Sequence, residues 1–559
     1  MSQLLQGVVP YREDDAARYV WEGWWRGLAL GDLLDRAAAT QPNKTGFVDL
    51  YHRLTYQEAK EQADRLAIAL LRLGLRPLDR VLVQLPNWTE FVAAYFALQK
   101  IGAVPVMLID RYRQFEIEQL AALSGAQAWI VPVQHRKVDF VPIIRDVVRA
   151  QPQIRYVITV RGEAPELQTL SLERLITDTH PTPQELAQLK QLRPDPGQVA
   201  HMGPTGGTTG NPKIVPRTHN SLVCGVEHCS YCWDQHCEDI NLIVGSIGHD
   251  LSFTKGFLGS VITMGTIVLL DTTDTETICQ TIQKEKVTAI VWVPTLTQRL
   301  LDYEGLRDHD LSSLRKIHSG GGAAHGELIK AVFNRLGVRF YNGYGGTEGM
   351  TTITRPTDDL ETVCSTVGRP TCPGDLYKVV DPSGNPLPPG SQGELVVKGP
   401  GVFTGYYNHP DENARAFDND GFFHTGDVAK MDERGYITIT GRLKEMINRG
   451  GESISATVIE ELIAKHPQVA AVAVVPMPCP IMGERVCAYI QPRVGARLDF
   501  DSIIAFLREE QKASVLELPE RIEFVEALPY TAAQKIDKKA LKEDIANKVA
   551  AESKIPGGA

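Results

Sequence analysis

Hydrophobic positions along the first third of the chain alternate between two periods. Thr55 and Glu58 have the spacing of a capping box, Ala59, Ala63, Leu66, Ala67, Leu70 and Leu71 follow on one helical face, and Gly74 stands where a C-cap glycine belongs. That spacing predicts a helix of about 18 residues. A β-branched run at 80–85, a helical pattern reaching Lys100, a strand at 104–108, a helix near 115–123 and a strand at 129–131 continue the alternation. Strand–helix alternation implies crossover connections and a parallel or mixed sheet. Buried strands are also expected at 266–270, 289–293, 314–317 and 338–341, each leading into a loop rich in Gly, Thr or Pro. Ligands of open α/β sheets bind at such strand ends.

After about residue 360 the texture changes to short alternating strands broken by turns such as Asp381-Pro-Ser-Gly384 and Asp432-Glu-Arg-Gly435. A mixed unit begins near Gly441, with a helix at 457–465, strands at 469–475 and 486–492, and a lysine-rich helix from Asp537. The predicted class is α/β: a large N-terminal domain of parallel and mixed sheets flanked by helices, with a β-rich subdomain (1–443), and a small α+β C-terminal domain (444–559).

Composition narrows the function. The 559 residues are 43% hydrophobic and 23% charged, enough to bury a large core. Acidic residues outnumber basic ones, 68 to 58, so no cationic excess exists for a nucleic acid or an anionic membrane surface. The N-terminus turns acidic at Glu13 instead of showing a secretory pattern, and the longest apolar stretch, 256–270, contains Ser260, Thr263 and Thr266 and is too short to span a bilayer. A cytoplasmic protein is expected. Nine scattered cysteines fit reduced thiols. His228, Cys229, Cys232, His236 and Cys237 have zinc-like spacing, yet on a helix at 221–235 half of them leave the stripe shared by Cys224, His228 and Cys232, where a cysteine is a small buried hydrophobe. Packing is the favoured reading.

The sharpest chemistry lies in Thr205-Gly206-Gly207-Thr208-Thr209-Gly210-Asn-Pro-Lys213. Glycines free the backbone to turn N–H groups toward an anion, hydroxyls add donors, and the lysine adds a full charge. It is not a P-loop, because Pro212 precedes the lysine and Ile214 follows it.

Together with Tyr344-Gly345-Gly346-Thr347-Glu348, Thr425-Gly-Asp427, Gly441-Arg442-Leu-Lys444 and Lys535, this segment resembles the ordered motif set of the adenylate-forming superfamily of acyl-CoA synthetases, luciferases and peptide-synthetase adenylation domains. The N-terminal 17–34 stretch, Asn448-Arg-Gly-Gly451 and Arg521-Ile-Glu-Phe-Val-Glu526 are closest to the aryl-acid ligases. The resemblance implies a carboxylate attacking the α-phosphate of ATP to give an acyl adenylate and pyrophosphate, then capture by a thiol. Anions must meet, so positive charge and aligned donors have to offset their repulsion. By resemblance, Thr205 to Gly210 and Lys213 cradle phosphates, Glu348 binds Mg²⁺, and Asp427 and Arg442 reach the ribose. Tyr344 faces adenine, with Gly321, Gly322, Ala323, Asn342, Gly343, Gly345 and Thr347 completing the nucleotide site. Lys535 is the catalytic cation. Gln534 departs from the glycine usual before that lysine and puts a Cβ into the loop. The small domain is implied to swing about Lys444, where a proline should trap one half-reaction.

The acid pocket is implied at His249-Asp250, after a strand at 243–247, with Gly322 and Gly346 beside it. Dihydroxybenzoate ligases usually have His-Asn there. An ionised aspartate only accepts, so Asp250 suits a 2-amino or 2-hydroxy aromatic acid, such as anthranilate or salicylate, or another cyclic acid, unless Lys255 pairs with it and cancels its charge. Tyr-Gly-Gly-Thr-Glu is closer to coenzyme A ligases, and a phosphopantetheinyl carrier protein is the alternative acceptor. The pattern sets no oligomeric state, a homodimer included. A luciferase-like oxygenase would share the adenylate but has no feature of its own here, and a binding-only relative would have lost Lys535, Glu348, Asp427 or Lys213.

Overall fold

Thr55 Oγ1 accepts the Glu58 N–H at 3.1 Å, the Glu58 carboxylate accepts the Thr55 N–H at 2.8 Å, and helix Tyr56–Leu73 runs 18 residues to Gly74 at φ +101°. The computed structural model describes residues 4–205, 212–449, 452–479, 482–511, 513, 518–531 and 535–552.

Two sheets organise the large domain. The seven-stranded sheet runs Lys213–Thr218, Val199–Thr205, Val104–Met107, Arg80–Val83, Ala128–Pro132, Tyr156–Val160 and Leu170–Ser171, parallel throughout except for the first pair. The nine-stranded sheet has a parallel centre of Arg339–Gly345, Lys316–Ser319, Ala289–Trp292, Ile240–Ile243 and Thr266–Leu269. Helix Glu90–Ile101, buried from Phe91 onward, joins one hydrophobic cluster with Val81 and Val83 of the first sheet and Ile243 and Leu269 of the second. A helix apolar all round belongs in such a sandwiched position.

Beyond these lie an antiparallel sheet, Leu376–Val380, Gln392–Lys398, Phe423–Met431 and Ile437–Arg442, and a separate five-stranded sheet centred on Val469–Cys479 and Gly483–Pro492. Helices Ala456–Ala464 and Lys538–Glu552 pack on the latter. A 3-10 turn, Leu443–Glu445, connects the two sheets.

Two strand ends differ from expectation. The strand expected at 243–247 is Ile240–Ile243, because its pairings to Thr266–Leu269 and Ala289–Trp292 end at Ile243 and the apolar residues beyond it turn into the cleft loop. The strand expected at 314–317 is Lys316–Ser319. The apolar stretch at 256–270 divides among a π-helix Leu251–Leu258, a helix Gly259–Thr263 and a strand Thr266–Leu269. Among the described residues no helix is long and apolar enough to cross a membrane.

Buried histidines make the fold acid-sensitive. Burial pushes His201, His219 and His318 down to about 3, so each stays neutral in the fold while an unfolded histidine takes up a proton below about 6.5. Unfolded chain then binds more protons, and each site removes about 1.4 kcal/mol of stability per pH unit in that window. The urea midpoint should be lower at about pH 5 than at about pH 7.5; equal midpoints would contradict the assignment.

Candidate active site

The hairpin Val199–Thr205 and Lys213–Thr218 sets Thr205 opposite Lys213. The residues joining them, Gly206, Gly207, Thr208, Thr209 and Gly210 among them, lie outside the described residues. The Lys213 ammonium pairs with the Glu412 carboxylate and lies 4.7 Å from the centroid of the Tyr406 ring. The hydroxyl of that tyrosine donates to Glu348 Oε1 at 3.1 Å. One ring thus holds the expected phosphate lysine next to the expected metal carboxylate. Glu348 is only 8% exposed, and burial raises its pKa against the Tyr406 donor and the Arg442 charge. Its Oε2 lies over Gly346, where a Cβ would approach to 2.6 Å. That cradle, with one free hard oxygen, fits Mg²⁺ held by a single carboxylate plus phosphates.

Strand register assembles the pair expected at the ribose. Asp427 and Arg442 face each other across Phe423–Met431 and Ile437–Arg442, with Arg442 Nε 2.8 Å from Asp427 Oδ1. The Tyr344 hydroxyl donates to Asp427 Oδ2 at 2.6 Å, which fixes the plane of its ring. Asp427 is buried, and that burial raises its pKa against Arg442 and Tyr344. A carboxylate has about four lone-pair sites, so both oxygens retain a position for a ribose hydroxyl.

Glycines bring backbone to the same cleft. Gly321 has φ +77°, and a Cβ there would lie 3.6 Å from Val293 and 3.8 Å from both Leu251 and Lys535 Cε. Gly322 and Ala323 follow, exposed at the rim. A Cβ on Gly343 would meet His318 at 2.9 Å, and one on Gly345 the Met350 carbonyl at 2.7 Å. Asn342 is committed to the sheet end, its Nδ2 donating to the Thr366 carbonyl at 2.9 Å and its N–H to Thr354 Oγ1 at 3.0 Å.

The small domain delivers Lys535. Its N–H donates to Thr531 Oγ1 at 3.3 Å, and the Thr531 N–H returns to the Lys535 carbonyl at 2.7 Å, a turn that aims the side chain at Gly321. Withdrawal from water and then Arg442 lower its pKa, opposed by Asp427 and Glu348. His249 is pushed down to about 4 by burial and then by Lys535, so it is a neutral imidazole, with Nδ1 accepting the Leu251 N–H at 3.3 Å. Gln534 lies outside the described residues, and Lys444 is the middle residue of the 3-10 turn between the sheets.

Beside His249 a cleft is lined by Asn87, Ile109, Ser246, Leu251 and Trp292 among others. The Thr254 hydroxyl donates to the Asp250 carbonyl at 2.7 Å, with Asp250 Oδ2 3.3 Å away, while Lys255 donates to Thr351 Oγ1 at 2.9 Å. The ion pair weighed for Asp250 and Lys255 is therefore replaced by a Lys255–Thr351 bond.

Tyr406, Glu412 and Arg217 escaped the sequence reading. Arg217 is buried and donates to the carbonyls of Thr347, at 3.2 Å, and Gly401, at 2.6 Å, pinning the loop that presents Glu348. Its only sequence signal was an arginine at the end of the short apolar run Ile214-Val-Pro216.

Lys213, Glu348, the Asp427–Arg442 pair and Lys535 stand where an adenylate-forming ligase would need them. The chain belongs to the AMP-binding enzyme family, which matches residues 34–407, and its 458–535 segment matches the AMP-binding enzyme C-terminal domain. It is 35% identical over 550 residues, 98% of this chain and 99% of the relative, to the 2,3-dihydroxybenzoate-AMP ligase of Bacillus subtilis (strain 168). It is 36% identical over 545 residues, 97% of this chain and 98% of the relative, to a salicylyl-CoA synthase / salicylate adenylyltransferase of a Streptomyces species. The crystal structure of the anthranilate CoA ligase AuaEII in complex with anthranoyl-AMP shares the fold, with a TM-score of 0.85 over 94% of this chain and 98% of that one at 24% identity. The family and the α/β architecture expected from the motifs are thereby established.

Proposed function

We propose that this chain activates an aromatic or cyclic carboxylic acid. The carboxylate attacks the α-phosphate of ATP and pyrophosphate leaves; a pantetheine thiol then attacks the acyl carbonyl, giving a thioester, AMP and a proton. Coenzyme A is the first reading of that thiol. The observation that carries the proposal is Lys535, from the 444–559 domain, whose Cε lies 3.8 Å from where a Cβ on Gly321 would sit, within electrostatic reach of Glu348, Asp427, Arg442 and His249 of the 1–443 domain. Mg²⁺ held at Glu348 would neutralise charge on the phosphates. Lys213 faces the phosphates, Asp427 and Arg442 orient the ribose, neutral His249 lets the carboxylate pass without an ion pair, and Lys535 meets the charge that develops between acid and α-phosphate.

An aryl acid is supported by the names of both relatives and by the cleft beside His249 with Leu251 and Trp292 in its wall. A carrier protein as the thiol donor is the second reading, because its pantetheine arm presents the same thiol as coenzyme A. Pyrophosphate release should be measured with benzoate, salicylate, anthranilate and 2,3-dihydroxybenzoate, followed by mass analysis with and without coenzyme A. Acid-dependent pyrophosphate with an aryl-CoA product is the expected result. Pyrophosphate without a coenzyme A product selects the carrier protein, and no pyrophosphate with any aryl acid overturns the proposal.

Asp250 is expected to set the ortho substituent. Asp250→Asn exchanges an acceptor-only group for one that also donates, and a bond to a charged group contributes roughly 1.5–3 kcal/mol, so preference for anthranilate over 2,3-dihydroxybenzoate should fall at least about tenfold in kcat/KM. An unchanged ratio would remove Asp250 from the acid pocket.

A further inference from the structure

Helix His219–Cys232 carries Cys224 and His228 one turn apart, and the connection after the Arg369–Pro370 strand brings Cys372 against them. Cys224 Sγ lies 3.7 Å from Cys372 Sγ and 3.7 Å from His228 Nδ1, and the three atoms all fall within 4.8 Å of one another. Two thiolates each ~2.3 Å from a tetrahedral zinc stand ~3.7 Å apart, and a thiolate and an imidazole nitrogen on the same ion ~3.6 Å. From this match of ligand atoms to tetrahedral edges, we propose that Cys224, His228 and Cys372 form a structural zinc site.

The surroundings favour a soft, charge-neutral metal complex. Both cysteines are buried in a cluster with Tyr19 and Trp25, against which Tyr11 and Trp24 pack, while His228 is half-buried and gives the ion a way in. Two thiolates cancel the charge of Zn²⁺, so the complex can sit in an apolar box that would reject a bare ion. Asp375, three residues after Cys372, is buried with its Oδ1 accepting the Gly401 N–H at 3.4 Å, so the fourth position on the ion falls to water or an anion. His228 Nδ1 also lies 3.0 Å from the Cys224 carbonyl, so zinc binding there requires the tautomer with its proton on Nε2, and the two thiols release one proton each. The local run that looked zinc-like in the sequence is dispersed: Cys229 packs with Trp233 and Tyr341, Cys232 contacts the Thr371 carbonyl at 3.6 Å, and Cys237 is exposed.

The site would clip helix to loop beneath the catalytic motif. Gly225, next to Cys224, lies against Gly401, whose carbonyl shares Arg217 with that of Thr347. Zinc takes no part in the reaction there, so the site stands whether or not an aryl acid is the substrate.

The full-length chain, purified under reducing conditions without chelator and dialysed against Mg²⁺, should contain stoichiometric zinc by mass spectrometry of the metal. Cys224→Ser and Cys372→Ser should each lose it, and Cys237→Ser should keep it. The wild-type chain exchanged with Co²⁺ should show thiolate-to-cobalt charge-transfer absorption, a reading that survives even if the serine variants do not fold. Wild-type protein without zinc and without that absorption would overturn the proposal, as would zinc retained in both serine variants. A Cys224–Cys372 disulfide, seen as a mass lower by two hydrogens in unreduced protein, would overturn it too.

Discussion

Lys535→Ala is expected to remove adenylate formation while leaving thioester formation from a supplied aryl adenylate within a few-fold of wild type. The first step brings a carboxylate to an α-phosphate, and Lys535, whose Cε lies beside Gly321, brings a positive charge there, whereas Arg442 is already paired with Asp427 across the sheet. Removing one preorganised donor to developing charge lowers a rate by roughly 10²–10³-fold. The second step starts from the adenylate already made, so its barrier does not contain that meeting of anions. Acid-dependent ATP–pyrophosphate exchange should collapse while thiol capture continues; equal loss of both half-reactions would contradict the role given to Lys535. The environment of the lysine adds a pH signature. Because burial and Arg442 lower its pKa, adenylation should fall on the alkaline side before a free lysine would titrate, and the capture step should not share that limb.

What the sequence could reveal followed from how local each signal was. The Tyr56–Leu73 helix is written in adjacent residues, with its cap and its terminal glycine visible at once. Glu348, Asp427, Arg442 and Lys535 were legible because each sits in a short motif whose chemistry limits the residue types that serve it. Tyr406 and Glu412 were not, since Tyr406 meets Glu348 across 58 residues and Glu412 meets Lys213 across 199, and no periodicity records such pairings. Strand ends blurred for a related reason: the residues after Ile243 are as apolar as the strand itself, so only its neighbours, Leu269 and Val291, show where pairing stops. The stripe of Cys224 and His228 was readable on the helix, but its third member, Cys372, lies 148 residues from Cys224.

Leu443→Pro is expected to trap the adenylating arrangement, keeping pyrophosphate exchange and losing thioester formation on the order of 10²-fold, the scale of a misplaced reacting group. On one side of the connection Arg442 is held to Asp427 of the large domain at 2.8 Å. On the other, Glu445 is held to Lys538 of the small domain at 3.0 Å, and Lys538 also to Glu460 at 2.9 Å. Any rotation of one side against the other would therefore fall on residues 443 and 444. Among the described residues, the bonds across the connection include the Arg493–Asp302 ion pair at 3.2 Å and the Ser455 hydroxyl to the Thr440 carbonyl. An exposed ion pair of that kind contributes about 0–1 kcal/mol. Arg442 already has φ −123° and ψ 139°, the extended conformation that a residue before proline prefers, so proline at 443 fits the present arrangement and resists leaving it. Proline at 444 is the less clean lock, because it would press on Leu443, which the 3-10 turn holds helical. Exchange and capture measured separately on Leu443→Pro decide the matter: wild-type rates in both would place the pivot outside this turn, and loss of exchange with capture retained would mean that proline favours the opposite arrangement.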